Sequence, residues 1–205
     1  MITVVDCGMG NIGSILNMCR YLGIEANVAT DPESVSKAGK LILPGVGAFD
    51  TGMLNLEKRG LQAALQQKVM VEHTPILGIC LGLQLFARRS EEGRLPGLGW
   101  LQADVVRFRS APDLQSPLQI PHMGWSYITP QPRSQLFQDM PGEPRFYFVH
   151  SYHVVCDAAD NIAATTHHGG TVTAAIERDH LFGTQFHPEK SHRYGMQLLR
   201  NFARL

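Results

Sequence analysis

Thr74-Pro75-Ile76-Leu77-Gly78-Ile79-Cys80-Leu81-Gly82-Leu83-Gln84-Leu85-Phe86-Ala87-Arg88-Arg89 decides the reading of this chain. Its first third is a short apolar run opened by a proline, the pattern of a buried parallel strand. From Leu81 to Arg89 the pattern is helical, with cations in the last turn. Cys80 falls where strand becomes helix, inside a G-x-C-x-G segment. That is a nucleophile elbow with sulfur where hydrolases usually carry a serine. The turn is tight, so Gly78 and Gly82 are needed to let neighbouring backbone approach. A helix N-terminus supplies free N–H groups and a positive dipole end, and both favour a thiolate. The Leu81 N–H becomes a candidate donor to an oxyanion.

The elements before this stretch alternate in the same way. Strands are expected near Ile2–Asp6, Glu25–Ala29, Lys40–Leu43 and Pro75–Ile79. Helices are expected near Gly13–Leu22, Pro32–Lys37, Asp50–Arg59 and Leu61–Glu72. Such βα alternation predicts an α/β fold, a mostly parallel central sheet with helices on both faces. Ligands in such sheets bind beyond the carboxyl ends of the strands. Pro44-Gly45-Val46-Gly47 and Cys80 both stand at such ends. After about Ser90 the character changes. Short β patterns at Ala103–Arg107, Arg145–Val149, His153–Cys156, Ile162–Thr166, Thr171–Glu177 and Leu181–Phe186 predict an antiparallel extension, and a last helix is expected near Arg193–Arg204. Seven of the twelve prolines lie between Pro112 and Pro144. That stretch is too apolar and aromatic for a hinge and reads as ordered loops.

The second informative segment is Gln185-Phe186-His187-Pro188-Glu189. If the backbone stays extended through Pro188, the His187 and Glu189 side chains share one side. The carboxylate then orients one imidazole nitrogen and leaves the other for Cys80. Thiol, imidazole and carboxylate together are the minimal set for acyl transfer through a thioester. A lone cysteine is more commonly a buried structural residue; the distant His-x-Glu favours the nucleophile.

One rival motif is present. Gly8-Met9-Gly10-Asn11-Ile12-Gly13 follows an apolar strand, with Asp31 at 18 residues beyond Gly13, a formal dinucleotide fingerprint. It leaves Cys80, His187 and Glu189 without a role. The glycines are better read as a tight turn, with Asn11 or Ser14 capping the first helix. The remaining histidines carry no metal spacing: His167 and His168 are adjacent, and His150 and His153 are three apart, so a strand would split each pair. Trp125, Phe146, Tyr147 and Phe148 read as core aromatics.

Composition bounds the rest. The chain has 205 residues, 44% hydrophobic, with Lys+Arg and Asp+Glu both at 18. That suits a single domain spanning 1–205. A neutral balance without a basic run argues against a nucleic-acid surface. No apolar run approaches a membrane span, and the N-terminus opens on a strand without a signal pattern. Cys7, Cys19, Cys80 and Cys156 are widely spaced, which suits a reducing cytoplasm.

With these motifs in view, the chain resembles the class I, triad-type glutamine amidotransferases. Gly78–Gly82 followed by Gln84, the Leu43–Phe49 segment and Gln185–Glu189 carry the resemblance. Finer features resemble the glutaminase subunits of imidazole glycerol phosphate synthases: Asp6–Asn11, Pro44–Gly47, Pro121-His122-Met123-Gly124-Trp125, Tyr147–Tyr152 and His187–Ser191. The resemblance implies a flavodoxin-like amidotransferase fold without cofactor or metal. It implies Cys80 as nucleophile, His187 as general base and acid, and Glu189 as orienting carboxylate. Val46 or Gly47 would give the second oxyanion N–H, opposite that of Leu81. Gln84, Gly47, Ser151 and Tyr152 would hold the substrate glutamine. Asn11, Met123, Trp125 and Lys190 would face a cyclase subunit, in a heterodimer. That cyclase would use the ammonia to form imidazole glycerol phosphate, with aminoimidazole carboxamide ribonucleotide as by-product, in histidine biosynthesis. Two positions depart from the family's habit: Cys7 stands where Tyr or Thr is frequent, and Ser126 where Asn is common. Two other readings stay open, a glutaminase subunit serving a different synthase and a non-catalytic glutamine-binding subunit.

Overall fold

β1 (Ile2–Val5) pairs in parallel with β2 (Ala26–Ala29) and with β3 (Leu41–Gly45). β3 is followed by β4 (Ile76–Cys80), then by β11 (Leu181–Thr184), both still parallel. The sheet then turns antiparallel through β10 (Thr171–Arg178), β9 (Ile162–His167), β6 (His122–Pro130) and β7 (Arg145–His150). The nine-stranded order is β2-β1-β3-β4-β11-β10-β9-β6-β7. β5 (Ala103–Arg107) and β8 (Tyr152–Cys156) form a separate antiparallel pair. This computed structural model describes residues 1–110 and 117–205. Pro112, the first of the clustered prolines, lies outside the described residues.

Pleating sends alternate side chains of the parallel strands into two cores. Leu41 and Leu43 pack with Phe49, Leu56, Leu61 and Leu65 on one face. Those come from α3 (Phe49–Lys58) and α4 (Leu61–Gln66). Ile42, Leu77 and Ile79 pack on the other face with Ile15, Leu198 and Phe202. Those come from α1 (Ile12–Tyr21) and α6 (His192–Arg204). The α/β architecture with helices on both faces and an antiparallel extension is the expected one. α2 (Pro32–Ser36) starts on a capping box in which Asp31 Oδ1 accepts the Ser34 N–H at 2.9 Å. Asp31 is therefore engaged as a helix cap. Gly8 and Gly10 have φ of 79° and 113° and build the tight turn before α1, where Asn11 Oδ1 accepts the Ser14 N–H at 3.1 Å.

Several local expectations are corrected. The elbow helix α5 covers only Leu81–Gln84, not Leu81–Arg89. Beyond it the Arg88 N–H donates to the Ala103 carbonyl at 3.0 Å instead of to a preceding turn. The Arg88 and Arg89 side chains pair with Asp104, and Arg88 also with Asp157, so they complement those carboxylates and no helix terminus. The helix expected over Leu61–Glu72 is α4 followed by a π-helical turn, Gln67–Val71. The proline-rich segment read as loops contains β6, a nine-residue strand; Pro121 precedes it and Pro130 is its last residue, and it pairs with β7 from His122 to Tyr127 and with β9 from Ile128 to Pro130. Trp125 on β6 is exposed, because Met123, Trp125 and Tyr127 share the outer side of the pleat, whereas Phe146 and Phe148 are core.

Candidate active site

The Gly45 end of β3 lies directly opposite Cys80 at the end of β4. Close packing makes this possible. A Cβ on Gly82 would run into the Leu43 carbonyl oxygen, and one on Gly78 would meet the Leu83 nitrogen at 2.7 Å. Cys80 takes φ 54° and ψ −108°, a conformation that non-glycine residues avoid and that stores strain at functional turns. The strained turn presents the sulfur above the first turn of α5, whose first N–H groups have no intrahelical acceptor. With one helical turn behind it, α5 contributes these amides more than a long macrodipole.

β11 ends at Thr184, and the chain crosses to the same place through Gln185 and Phe186. Phe186 is fully buried and stacks on Phe146 with ring centroids 3.9 Å apart. His187 follows, its N–H donating to the Tyr147 carbonyl at 3.0 Å. The backbone does not stay extended through Pro188: Pro188–Lys190 is a 3-10 turn. That turn, not strand alternation, brings Glu189 Oε1 to 2.8 Å from His187 Nδ1. Both side chains are almost entirely buried. Nδ1 donates to the carboxylate, and among the described residues Nε2 has no hydrogen-bond partner. Burial by itself would push the imidazole down; the Cys80 sulfur and the Glu189 carboxylate outweigh it and raise His187 to about 9. The ring is held by Glu189 through Nδ1, with Nε2 left free.

Cys80, His187, Leu81, Val46 and Gly47 line one cleft of about 660 Å³. Gln84, Ser151, Tyr152 and Lys190 border the same cleft. Gln84 is buried and donates through Nε2 to the Tyr152 carbonyl at 3.0 Å. The Lys190 ammonium lies 5.6 Å from the Tyr147 ring centroid. Met123 and Trp125 stand outside the cleft, 65% and 43% exposed on β6; Trp125 stacks on His192 at 5.6 Å. Asn11 caps α1, which touches the Pro188–Lys190 turn.

Three contributors escaped the sequence reading. Glu92 reaches the cleft from the loop after α5, and its Oε2 accepts the Phe49 N–H at 2.9 Å. No local motif marks it. Ser191 is fully buried; its hydroxyl donates to the His187 carbonyl at 2.6 Å and accepts the Tyr147 N–H at 3.1 Å, locking the turn onto β7. Gln185 is fully buried, with Nε2 3.8 Å from Cys80 Sγ. Its place in the His187 segment was the available signal. His122, His150, His153 and His168 pack around Phe108, with His153 stacked at 4.6 Å. Strand pairing gathers them from distant segments. Among the described residues no group of three or more His, Cys, Asp or Glu side chains is arranged to hold a metal ion.

The glutamine amidotransferase class-I family model matches residues 3–205. The chain is 50% identical over 204 residues to imidazole glycerol phosphate synthase subunit HisH 2 of Methanococcus maripaludis, covering 100% of this chain and 99% of that one. It is 48% identical to the protein of the same name in Pseudomonas aeruginosa, with 100% of both chains covered. A solved glutamine amidotransferase structure superposes with a TM-score of 0.73 at 20% identity, over 100% of this chain and 99% of that one.

Proposed function

The chain belongs to the class I glutamine amidotransferases, among the imidazole glycerol phosphate synthase glutaminase subunits, and from that membership we propose the following account of its chemistry. It hydrolyses glutamine to glutamate and ammonia and supplies the ammonia to a cyclase subunit, which forms imidazole glycerol phosphate in histidine biosynthesis. The observation that carries the residue roles is the meeting of Cys80, on its strained turn, with the His187–Glu189 pair in one cleft.

Glutamine lies with its side-chain amide over Cys80. Glu92 offers a carboxylate to the α-ammonium group, and the Ser151–Tyr152 backbone takes the α-carboxylate. Gln84 and Gly47 complete the subsite. The Cys80 sulfur attacks the amide carbon. The Leu81 N–H and a Val46 or Gly47 N–H stabilise the oxyanion, each donor worth roughly a hundredfold or more in rate. The His187 imidazolium gives its proton to the departing ammonia, then withdraws one from the water that cleaves the glutamyl thioester. Glu189 holds the ring in the one orientation that serves both steps.

Residues 1–205 act as one glutaminase domain, a reading supported by the sheet that runs unbroken from β2 to β7. Its partner is the cyclase in a heterodimer, met by Met123, Trp125 and Lys190 with the adjoining N-terminus of α1 at Asn11. The exposed aromatic and aliphatic side chains of β6 beside the cleft support that face. Four free thiols suit a reducing cytoplasm. Among the described residues no helix is long and apolar enough to cross a membrane. The test is glutamate release by the purified chain alone, with cyclase, and with cyclase plus its ligand. Activity is expected to be low alone and to rise at each step; full activity without partner would identify a self-sufficient hydrolase.

A further inference from the structure

We propose that Gln185 is a positioning residue that orients the Cys80 sulfur and favours its thiolate, its own amide being turned by Gln84, which is anchored on the Tyr152 carbonyl. The proposal rests on Cys80 being the nucleophile.

The direction of these hydrogen bonds follows from one group that can only accept. The Tyr152 carbonyl receives two bonds, from Gln84 Nε2 at 3.0 Å and from His150 Nδ1 at 2.7 Å. Each of those nitrogens must therefore carry the proton. On one side, the second hydrogen of Gln84 Nε2 goes to Gln185 Oε1 at 3.2 Å. This turns the amide end of Gln185 away from Gln84 and toward Cys80 Sγ, 3.8 Å off. A flipped Gln185 would set two NH2 groups against each other and point a carbonyl oxygen at the sulfur. On the other side, His150 uses Nδ1–H for the carbonyl, so its Nε2 accepts from His122 Nδ1–H at 3.1 Å. His122 Nε2 then accepts from the Ser126 hydroxyl at 2.8 Å. Burial drives the His150 ring down to about 3 and the His122 ring down to about 4, so both are neutral and each keeps a single tautomer. The links are polar and buried or partly buried, which makes a reversed bond expensive. The sulfur gains a fixed N–H donor, which stabilises its charged form relative to the thiol.

The experiment is alkylation of Cys80 by iodoacetamide in the full-length chain across a pH series, read by peptide mass spectrometry so that Cys7, Cys19 and Cys156 are scored separately. Gln185→Leu removes the donor, and Gln185→Glu replaces it with an oxygen of the same size. Both should move the midpoint of Cys80 reactivity up by about one pH unit, a tenfold loss of thiolate below it, without a matching change in the other thiols. The kcat for glutamine should fall with KM nearly unchanged. If Gln185→Leu does not fold, the isosteric Gln185→Glu carries the test, with far-ultraviolet circular dichroism reporting its fold. His122→Phe alters only the arm that ends on the Tyr152 carbonyl and should give a far smaller shift than Gln185→Leu. Coincident profiles for wild type and Gln185→Glu would overturn the proposal. A shift in His122→Phe as large as that in Gln185→Leu would overturn the assignment to Gln185. If wild-type Cys80 is not protected by glutamine, the nucleophile assignment fails first, and that outcome is distinct from either.

Discussion

His187 sets the acid–base behaviour expected of the site. Its ordinary value of 6.5 is raised to about 9, burial opposing and the Cys80 sulfur and Glu189 carboxylate prevailing. The ring therefore stays protonated throughout the neutral range in the free protein, and on the proposed mechanism kcat/KM should decline as pH rises through about 9. Glu189→Gln removes one of the raising groups, so the decline should begin at lower pH; a pH–rate profile of the two proteins checks this. Glu189→Ala should lose activity, but roughly a hundredfold less than replacement of the nucleophile, as orienting carboxylates generally do. At this scale the sequence singled out Cys80, His187 and Glu189 because each sits in a short local motif, and the structure brings Cys80 and His187 to one cleft with Glu189 bonded to His187. It did not name Glu92, Gln185 or Ser191. Their roles depend on which backbone or side-chain atom lies across a cleft, and no spacing encodes that. The His187–Glu189 contact was foreseen for a different reason from the one that produces it: a 3-10 turn after Pro188, not an extended backbone.

The elements that deliver His187 and Cys80 are fixed by tertiary contacts more than by propensity. Ser191 ties the His187 carbonyl to the Tyr147 N–H through one buried hydroxyl. Ser191→Ala leaves both groups unpaired, which should destabilise the fold by about 1–3 kcal/mol. It should also lower kcat by roughly tenfold through displacement of the ring. Denaturant unfolding and steady-state kinetics on the same sample would read both, and a loss of stability with kcat intact would show that the turn holds without the hydroxyl. Propensity misled where long-range pairing won. Arg88 and Arg89 extend a helical pattern, yet the chain leaves the helix after Gln84 to bond Ala103. β6 was hidden because Pro121 and Pro130 mark its ends and Gly124 interrupts it, while its pairing partners lie in β7 and β9.

Across the whole molecule, a parallel half carries Cys80 and an antiparallel half brings His187 and Glu189 back to it, joined at the β4–β11 pairing. The βα alternation of the first half was legible because each unit is local in sequence. The strand order of the second half, and the gathering of four histidines around Phe108, were not, since they arise from pairings between distant segments. Those histidines shape stability. His122 and His150 are depressed chiefly by burial, to about 4 and about 3. The unfolded chain then binds more protons between those values and 6.5, so stability present above 6.5 is lost on acidification. His187 is raised, so its contribution is complete below 6.5 and disappears as pH climbs through about 9. Each group adds a slope of about 1.4 kcal/mol per pH unit in its window. Chemical denaturation at several pH values should therefore find maximal stability near 6.5, with a shallower acid limb in His122→Phe. The central claim is that one sulfur carries the acyl group between two halves of a hydrolysis. Rapid quenching of wild type with glutamine and cyclase, followed by peptide mass spectrometry, should find a glutamyl adduct on the Cys80 peptide, and Cys80→Ala should form neither adduct nor glutamate while remaining folded. An adduct on another residue, or glutamate release by folded Cys80→Ala near the wild-type rate, would contradict it.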